Sequence, residues 1–407
     1  MSKIKKVTAK EIKDSRGNPT LEVCVETERG EFLAGVPSGA STGKNEALEL
    51  RDVDGKGVAL AIKNVNEIIA PKLKVKNPEN QKEIDELMIA LDGMENKSKL
   101  GANAIVGVSM AVCRAGAASK KIPLYEHITD LVNGSNGGNE PISKKIPLAM
   151  FNIIEGGAHA KNDLTIQEFM IVPQKKTFGE NLILCNKIFN NLGEYIKKSF
   201  SNLDMGDEGG FAPMLGKTEQ ALSLLKNVIG SEKVNIALDC AASQFYKDGK
   251  YFLDGNEFSR AQLLEIYKDL ASKFPIISIE DPFDEDDWLG FKDIIKVLPR
   301  IAIIGDDLTT TNIKKIKEAH SKNAINGVIL KLNQIGTVWE TVEAGVLAKS
   351  YGWKTIVSHR SGETMDNFIG DLAVGLGADF IKSGSPSKPE RMVKYQRLLE
   401  IEKELKK

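Results

Sequence analysis

The segment IISIEDPFDEDDWLGFKDIIKVLPRIAIIGD, residues 276–306, contains two short apolar runs that each end on an acidic residue, IISIE on Glu280 and AIIGD on Asp306. Continuous apolar runs of this length are typical of buried parallel strands. The interval of about 25 residues between the two acids leaves room for one helix and one strand with their loops. The same pattern recurs elsewhere in the chain, in VNIALD ending on Asp239, VILK on Lys331, TIVSH on His359 and FIK on Lys382.

Enzymes built on a (β/α)₈ barrel place their catalytic groups at the carboxyl ends of the strands. The regular recurrence of a charged or acid–base residue at each strand end therefore predicts an α/β fold with such a barrel, and a functional site around its rim.

The composition agrees with a soluble globular protein and suggests two domains. The chain has 407 residues, more than one ordinary core accommodates. Its net charge of −1 provides no overall attraction to nucleic acid or to an anionic membrane. The four cysteines form no C-x-x-C pair. We therefore expect a reducing compartment and no structural zinc.

The chain shows no sign of a targeting or membrane segment. The opening MSKIKKVTAKEIKD lacks the apolar core of a signal peptide. The longest uncharged stretch, Leu100–Cys113, is too short to span a bilayer and is rich in small residues, which favours a packed helix. We expect a cytoplasmic protein without a membrane span.

The N-terminal part reads as a small α+β domain. In TLEVCVET, Leu21, Val23 and Val25 alternate with polar residues, as in a half-buried strand; Arg29-Gly30 is the expected turn, and EFLAGV the returning strand. Helical spacing follows in two segments, and prolines are expected to separate them. The segments have their apolar faces at Ile62, Val65, Ile68 and Ile69 and at Ile84, Leu87, Met88 and Leu91, with Pro71 and Pro78 between.

The Gly- and Asn-rich stretch NGSNGGNEPISKK, residues 133–145, is typical of a connection between domains. We place an N-terminal α+β domain at residues 1–135 and the barrel at residues 136–407. The tail, residues 390–407, reads as a charged amphipathic helix.

Three acids at strand ends, Asp239, Glu280 and Asp306, predict a metal site. An all-oxygen ligand set suits Mg²⁺ better than zinc, and the carboxylates would repel one another without a cation. The alternative is that each acid caps the following helix. Asp281 and Asp307 lie next to two of them, and spacing alone does not decide which member of each pair faces the metal.

Two lysines, Lys331 and Lys382, also end apolar runs. Burial and neighbouring positive charge are expected to lower the pKa of such a lysine, which would make a free amine available as a base. Facing a metal-bound carboxylate substrate, they would suit proton abstraction beside that carboxylate. The alternative is a pair of structural lysines whose stems are buried at the rim.

Further candidates lie in loops and in one apolar run. Glu208, in MGDEGGFAP, could protonate a leaving group or belong to an ordinary acidic turn. Glu168, in TIQEFMIVP, is a buried acid and therefore either paired or functional. The loop VPSGASTG, residues 36–43, suits a mobile lid that offers Ser41 to a metal, although any flexible turn has this composition.

In SHRSGE, His359, Arg360 and Ser361 follow a strand, and Arg360 and Ser361 are suitable donors to a phosphate or carboxylate. His159 lies in the loop GGAHAKN, where an exposed position is more common than a functional one. His127 and His320 are placed on helices without a role.

A set of motifs in order along nearly the whole chain resembles the enolase family. They are DSRGNPT, VPSGASTG, ENKSKLGANAI, QEFMI, GDEGGFAP, ALDCAAS, SIEDPFDEDDW, GDDLT, KLNQIGT, SHRSGET and a terminal pattern that begins with ER and KY. The resemblance implies an N-terminal α+β domain followed by a modified barrel. It also implies reversible dehydration of 2-phosphoglycerate to phosphoenolpyruvate and water, with two Mg²⁺ ions stabilising an aci-carboxylate intermediate.

Roles follow from the resemblance position by position. It implies ligands of the first Mg²⁺ at Asp239, Glu280 and Asp306, a ligand of the second at Ser41, the general base at Lys331 and its cationic companion at Lys382. It implies the acid for the departing hydroxyl at Glu208 assisted by Glu168, phosphate contacts at Arg360 and Ser361, and substrate-site histidines at His159 and His359. It further implies a homodimer or octamer.

Four positions depart from the family's usual residues: Glu155 for Asn, Gln244 for Glu, Thr165 for Asp and Lys388 for Arg. We expect them to affect loop dynamics and subunit contacts more than the reaction. Two alternatives are kept. One is another acid dehydratase of the superfamily. The other is an added binding role for surface proteins through Lys406 and Lys407, with a secondary surface or secreted pool.

Overall fold

A computed structural model describes residues 2–39, 43–53, 55–137, 140–200 and 203–406 of the chain. The strands are β1 Lys6–Lys13, β2 Pro19–Thr27, β3 Gly30–Gly35, β4 Leu148–Glu155, β5 Glu168–Pro173, β6 Val234–Asp239, β7 Tyr246–Lys247, β8 Lys250–Leu253, β9 Asn256–Phe258, β10 Ile276–Glu280, β11 Ala302–Gly305, β12 Gly327–Leu330, β13 Lys354–Ser358 and β14 Phe380–Lys382.

The helices are α1 Ala59–Lys63, α2 Ala70–Leu73, α3 Gln81–Asp92, α4 Ala102–Lys120, α5 Leu124–Ser135, α6 Phe178–Ser199, α7 Thr218–Ile229, α8 Arg260–Lys273, α9 Trp288–Val297, α10 Ile313–Lys322, α11 Leu332–Ile335, α12 Val338–Ser350, α13 Phe368–Gly375 and α14 Pro389–Glu404. A π-helical turn, Asn64–Ile69, joins α1 to α2.

The N-terminal sheet is an antiparallel meander in the order β1-β2-β3. Leu21, Val23 and Val25 are fully buried, which confirms the predicted inward face of β2. Thr27 pairs with Gly30, so the turn lies one residue earlier than predicted. Strand β1 was not predicted, and in KVTAKEIK buried and exposed residues alternate only weakly.

The prediction that Pro71 separates two helices is wrong, although Pro78 does lie between α2 and α3. Pro71 lies inside α2, directly after the π-helical turn. Proline has no N–H to donate and its ring presses on the preceding turn. A widened turn, in which the Ala70 N–H donates to the Val65 carbonyl, lets the helix continue through the proline.

The uncharged stretch from Leu100 forms most of α4, which packs on β2 and β3. In the described part of the chain this helix is the one long and apolar enough to cross a membrane, and 83% of that window is buried inside the fold. The packed small-residue helix predicted from the sequence is confirmed.

The second part of the chain forms a closed barrel in the order β10-β11-β12-β13-β14-β4-β5-β6. This confirms the barrel and the parallel pairing among the six strands predicted from the apolar runs. One strand that lies outside that prediction, β5, runs antiparallel to both β4 and β6. The short connection after β4 holds no α-helix, and a parallel return needs a long crossover. The reversal has one important effect: the first residue of β5, Glu168, lies beside the last residue of β6, Asp239.

The predicted C-terminal helix is present as α14, with Tyr395, Leu398 and Ile401 buried. The linker stretch falls between the end of α5 and the start of β4, and the domain boundary at residues 135 and 136 stays a prediction.

Candidate active site

A small pocket opens at the rim formed by the carboxyl ends of seven barrel strands and the start of β5. Most of the predicted site residues line it: His159, Glu168, Glu208, Asp239, Asp306, Lys331, His359, Arg360, Ser361 and Lys382. Glu280 reaches the same cluster through an ion pair with Lys382. Ser41 lies outside the described residues. The cavity measures about 40 Å³, room for only a few water molecules.

Lys382 is the centre of the acidic cluster. Its Nζ lies 2.7 Å from Glu280 Oε2, 3.1 Å from Asp239 Oδ2 and 3.1 Å from Glu168 Oε2. Burial acts to lower the pKa of Lys382, but the three carboxylates outweigh it and hold the pKa well above its usual value. The expectation of a lowered pKa is therefore wrong for this lysine, which is a fixed positive charge.

Lys331 forms an ion pair with Asp306 Oδ2, and Asp306 Oδ1 accepts a hydrogen bond of 2.9 Å from Gln334 Nε2. Burial acts to lower the pKa of Lys331, while the Asp306 carboxylate raises it, and the net direction is upward. The predicted lowering is wrong here too. With Asp306 ionised and turned toward it, Lys331 keeps its proton.

The acidic residues fit a hard divalent cation. Glu280 Oε1 is buried and has no hydrogen-bond partner among the residues that the structure describes. The pKa of Glu280 is raised well above its usual value by burial and by the Asp239 charge. An unpaired carboxylate oxygen beside like charges is the environment that a cation would relieve.

A second acidic group consists of Asp281, Asp306 and Asp307, with one oxygen of each within 4.8 Å of the others. Asp281 accepts hydrogen bonds from the N–H groups of Asp306 at 3.0 Å and Asp307 at 2.8 Å, so both of its oxygens shape the loop. Asp306 and Asp307 both line the pocket. Of the two, Asp306 forms the ion pair with Lys331.

Next to this cluster lies a group of two acids and two histidines, Glu168, Glu208, His159 and His359, and Glu168 belongs to both. His359 Nε2 is 3.2 Å from Glu208 Oε2. His159 Nδ1 lies 3.6 Å from Glu168 Oε1 and 3.8 Å from Glu208 Oε1. His159 is buried, so the alternative of an exposed loop histidine is wrong.

The surroundings push the pKa values of the two acids in opposite directions. Burial and the Glu208 charge raise the pKa of Glu168 well above its usual value. Burial also acts to raise the pKa of Glu208, but the two histidines hold it well below its usual value. The surroundings therefore favour a proton on Glu168 over one on Glu208, a division of roles that acid–base catalysis uses.

Arg360 is held by a residue that sequence reasoning missed. Its Nη1 lies 2.8 Å from Glu46 Oε2 and 3.1 Å from Asn333 Oδ1. Glu46 Oε1 also accepts a 3.0 Å hydrogen bond from the Gly43 N–H, at the end of the predicted lid loop. The sequence signal was an acid shortly after that loop, but nothing local tied it to an arginine more than 300 residues away.

Glu155, one of the four departures from the family's usual residues, contacts the Glu208 loop directly. Its carboxylate is fully buried and accepts hydrogen bonds from the N–H groups of Glu208, at 3.1 Å, and Gly210. Burial and the Glu208 charge raise the pKa of Glu155 to about 8. A Cβ on Gly206 would lie 2.1 Å from Glu155 Oε2, so the loop needs glycine there. Since β4 ends on Glu155, the strand-end rule could have found it.

Two further departures also contact the site's loops. Gln244 lines the pocket and donates a 2.8 Å hydrogen bond to Gln167 Oε1. Lys388 Nζ donates to the Asp207 carbonyl at 3.3 Å, next to Glu208. They contact side chains and backbone that support the reactive groups.

A closed barrel with acids and lysines at its strand ends, preceded by a small α+β domain, is the architecture of a barrel enzyme. Two family models match this chain: the enolase N-terminal domain over residues 4–128 and the enolase C-terminal TIM barrel domain over residues 143–407. The chain therefore belongs to the enolase family. It is a lyase of the enolase superfamily, and its acidic clusters could hold the divalent metal that such proteins bind.

Proposed function

We propose that the protein catalyses the reversible, Mg²⁺-dependent dehydration of 2-phospho-D-glycerate to phosphoenolpyruvate and water. One observation carries this proposal: two lysines, three strand-end acids and a glutamate–histidine group gather around one small pocket. Dehydration next to a carboxylate needs a base on one side of the substrate and an acid for the departing hydroxyl on the other.

On the lysine side, Lys331 is the base that removes the proton beside the substrate carboxylate. Asp239, Glu280 and Asp306 would hold the first Mg²⁺, and Ser41 is proposed as a ligand of a second. Bound Mg²⁺ would supply positive charge against the negative charge that develops on the substrate carboxylate. Lys382, with its raised pKa, adds a permanent positive charge on the same side.

A cation at Asp306 would compete with Lys331 for that carboxylate. The ion pair between Lys331 and Asp306 holds the lysine proton, so Lys331 becomes a base only when this pair opens. The structure thus supports a resting arrangement that ligand binding rearranges.

On the opposite side, the pair Glu168 and Glu208 shares the proton that the leaving hydroxyl takes up. Arg360 and Ser361 are proposed to bind the phosphate. The guanidinium of Arg360 is now paired with the Glu46 carboxylate, and a phosphate can take the place of a carboxylate at the same planar fork.

We further propose a cytoplasmic location and a homodimer or octamer. The added binding role through the C-terminal lysines remains a weaker proposal. Lys406 lies 3.5 Å from Glu402 in an exposed i,i+4 pair, and Lys407 lies outside the described residues.

The test is the formation of phosphoenolpyruvate from 2-phosphoglycerate, followed by ultraviolet absorption with Mg²⁺ and after EDTA treatment. We expect turnover that EDTA abolishes and added Mg²⁺ restores. Sugar acids are assayed in parallel. Turnover of a sugar acid, with none of 2-phosphoglycerate, would move the chain to another dehydratase of the superfamily.

A further inference from the structure

The guanidinium of Arg391 connects α14 to the reactive side of the pocket. Arg391 is fully buried. Its Nη1 lies 2.5 Å from His359 Nδ1 and 2.6 Å from the Arg360 carbonyl oxygen. Its Nη2 lies 2.6 Å from the Ser361 carbonyl oxygen and 3.4 Å from that of Asp207. One side chain therefore binds both the segment after β13 and the loop that carries Glu208.

The chemistry of these contacts fixes the proton on His359. A guanidinium has only donors, so the nitrogen that faces it must accept. Nδ1 of His359 is therefore unprotonated, and in a neutral ring the proton lies on Nε2. Nε2 is 3.2 Å from Glu208 Oε2, so it donates to that carboxylate.

We propose that Arg391 is a positioning residue that holds His359 as the neutral Nε2–H tautomer and so keeps one hydrogen-bond donor directed at Glu208. The proposal deepens the dehydration proposed above and rests on it for its catalytic meaning. Arg391 itself reaches the reaction only through His359 and the loop carbonyls.

The arrangement excludes a doubly protonated His359. An imidazolium would direct a second N–H at the Arg391 guanidinium, placing donor against donor and positive charge against positive charge. In agreement, burial lowers the pKa of His359 to about 4, with Arg391 acting in the same direction and Glu208 against it. His359 is thus a hydrogen-bond donor that supports ionised Glu208, and the proton for the leaving hydroxyl comes from the Glu168 and Glu208 pair.

The connection between β14 and α14 also holds the Glu208 loop. Ser387 Oγ donates to the Gly209 carbonyl at 2.7 Å, and the Ser385 N–H donates to the Glu208 carbonyl at 3.1 Å. Arg391 therefore orients His359 against a Glu208 loop whose backbone is already held.

The test begins with the unmodified protein. Its histidines are labelled with ¹⁵N, and the ring nitrogens are followed by NMR near neutral pH, with His359→Gln identifying the His359 signals. We expect Nε2 to be protonated and Nδ1 to be unprotonated. Protonation at Nδ1, or at both nitrogens, overturns the proposal, whether or not any substrate is turned over.

The variant Arg391→Lys keeps the charge and removes the planar fork. We expect loss of the single tautomer and a fall in kcat of about 10- to 100-fold with little change in KM, by analogy with residues that orient metal-bound histidines. Arg397→Lys is the matched control, because Arg397 is on the same helix and pairs with Asp371 at 2.8 Å. It should keep the tautomer and kcat.

An Arg391→Lys protein that keeps both the tautomer and kcat overturns the proposal. Should this variant not fold, the wild-type spectrum decides alone. If the wild-type protein has no activity on 2-phosphoglycerate, the proposed function is wrong. The NMR measurement still tests the tautomer independently.

Discussion

The two sides of the pocket are held in place by different forces. On the lysine side, Lys331 and Lys382 lie at the ends of β12 and β14 and are fixed by ion pairs with carboxylates of other barrel strands. On the glutamate–histidine side, Glu208 lies in a loop, outside the barrel strands. The Glu155 carboxylate accepts hydrogen bonds from that loop, and His359 and the connection before α14 donate to it.

This difference shows what positions the side chains on each side of the pocket. Barrel strands bring their ends together through backbone pairing, so the lysine side needs little beyond the correct register. A loop has no such ladder, and its backbone groups need partners from elsewhere in the fold. We therefore expect the lysine side to respond to changes in charge, and the loop side to respond to changes in its supports as well.

The largest effect is expected for Lys331→Ala, which removes the proposed base. Loss of a general base typically lowers the rate by about 10²–10⁴-fold, and we expect the upper end of this range for kcat. The fold should be retained, because β12 pairs through its backbone and circular dichroism can check this. Lys349→Ala is the control, a lysine of α12 that donates to the Gly377 carbonyl. Near-normal turnover by Lys331→Ala would refute the base assignment.

The second-largest effect is expected on the loop side for Glu208→Gln, which keeps the shape of the side chain and removes its charge. His359 can still donate to the amide oxygen, so the loop should stay in place while the acid–base group is lost. We expect kcat to fall by about 10²–10³-fold with a small change in melting temperature. An unchanged kcat would show that Glu168 alone serves the leaving group. Glu208 would then have no catalytic role on the loop side.

The lysine side could be predicted well from the sequence, and the loop side only in part. Asp239, Glu280 and Lys382 end apolar runs. Strand pairing places Asp239 beside Glu280, and the closed barrel brings the Lys382 side chain to both. Glu168 was visible as an acid in an apolar run, but only the reversed direction of β5 places it at the rim.

The residues that support the loop left weaker signals. Glu46 and Arg391 come from elements far along the chain from the groups they bind, and no local pattern reports such contacts. The raised pKa of Lys331 was also out of reach, because it depends on the direction in which Asp306 points.

Glu155 allows the loop supports to be tested by pH. Its pKa is raised from 4.5 to about 8, so the folded protein binds more protons than the unfolded chain between those values. Stability contributed by this group is therefore present at low pH and is lost as the pH rises toward 8. We expect wild-type protein in EDTA to lose roughly 2–4 kcal/mol more than Glu155→Gln across this window.

The measurement is denaturant unfolding of both proteins at several pH values, compared as a difference so that the other titrating groups cancel. The variant also replaces one hydrogen-bond acceptor with a donor beside the loop N–H groups, which lowers its stability at every pH by a constant amount. Parallel curves for the two proteins would mean that Glu155 does not change its protonation on folding. Its place in the loop would then be a matter of shape alone.

The smallest effect is expected for Ser387→Ala, which removes a single fastening of the Glu208 loop and touches no reactive group. The lost hydrogen bond from Ser387 Oγ to the Gly209 carbonyl should cost about 1 kcal/mol of stability. If the loop side depends on its supports, kcat should also fall, by roughly two- to fivefold, because a looser loop spends less time with Glu208 in place. Ser272→Ala removes a hydrogen bond of the same 2.7 Å length to the Asp269 carbonyl on exposed α8, and it should leave kcat unchanged. Equal kcat values for the two variants would show that one support is dispensable, and that Glu155 and Arg391 together hold the loop without it.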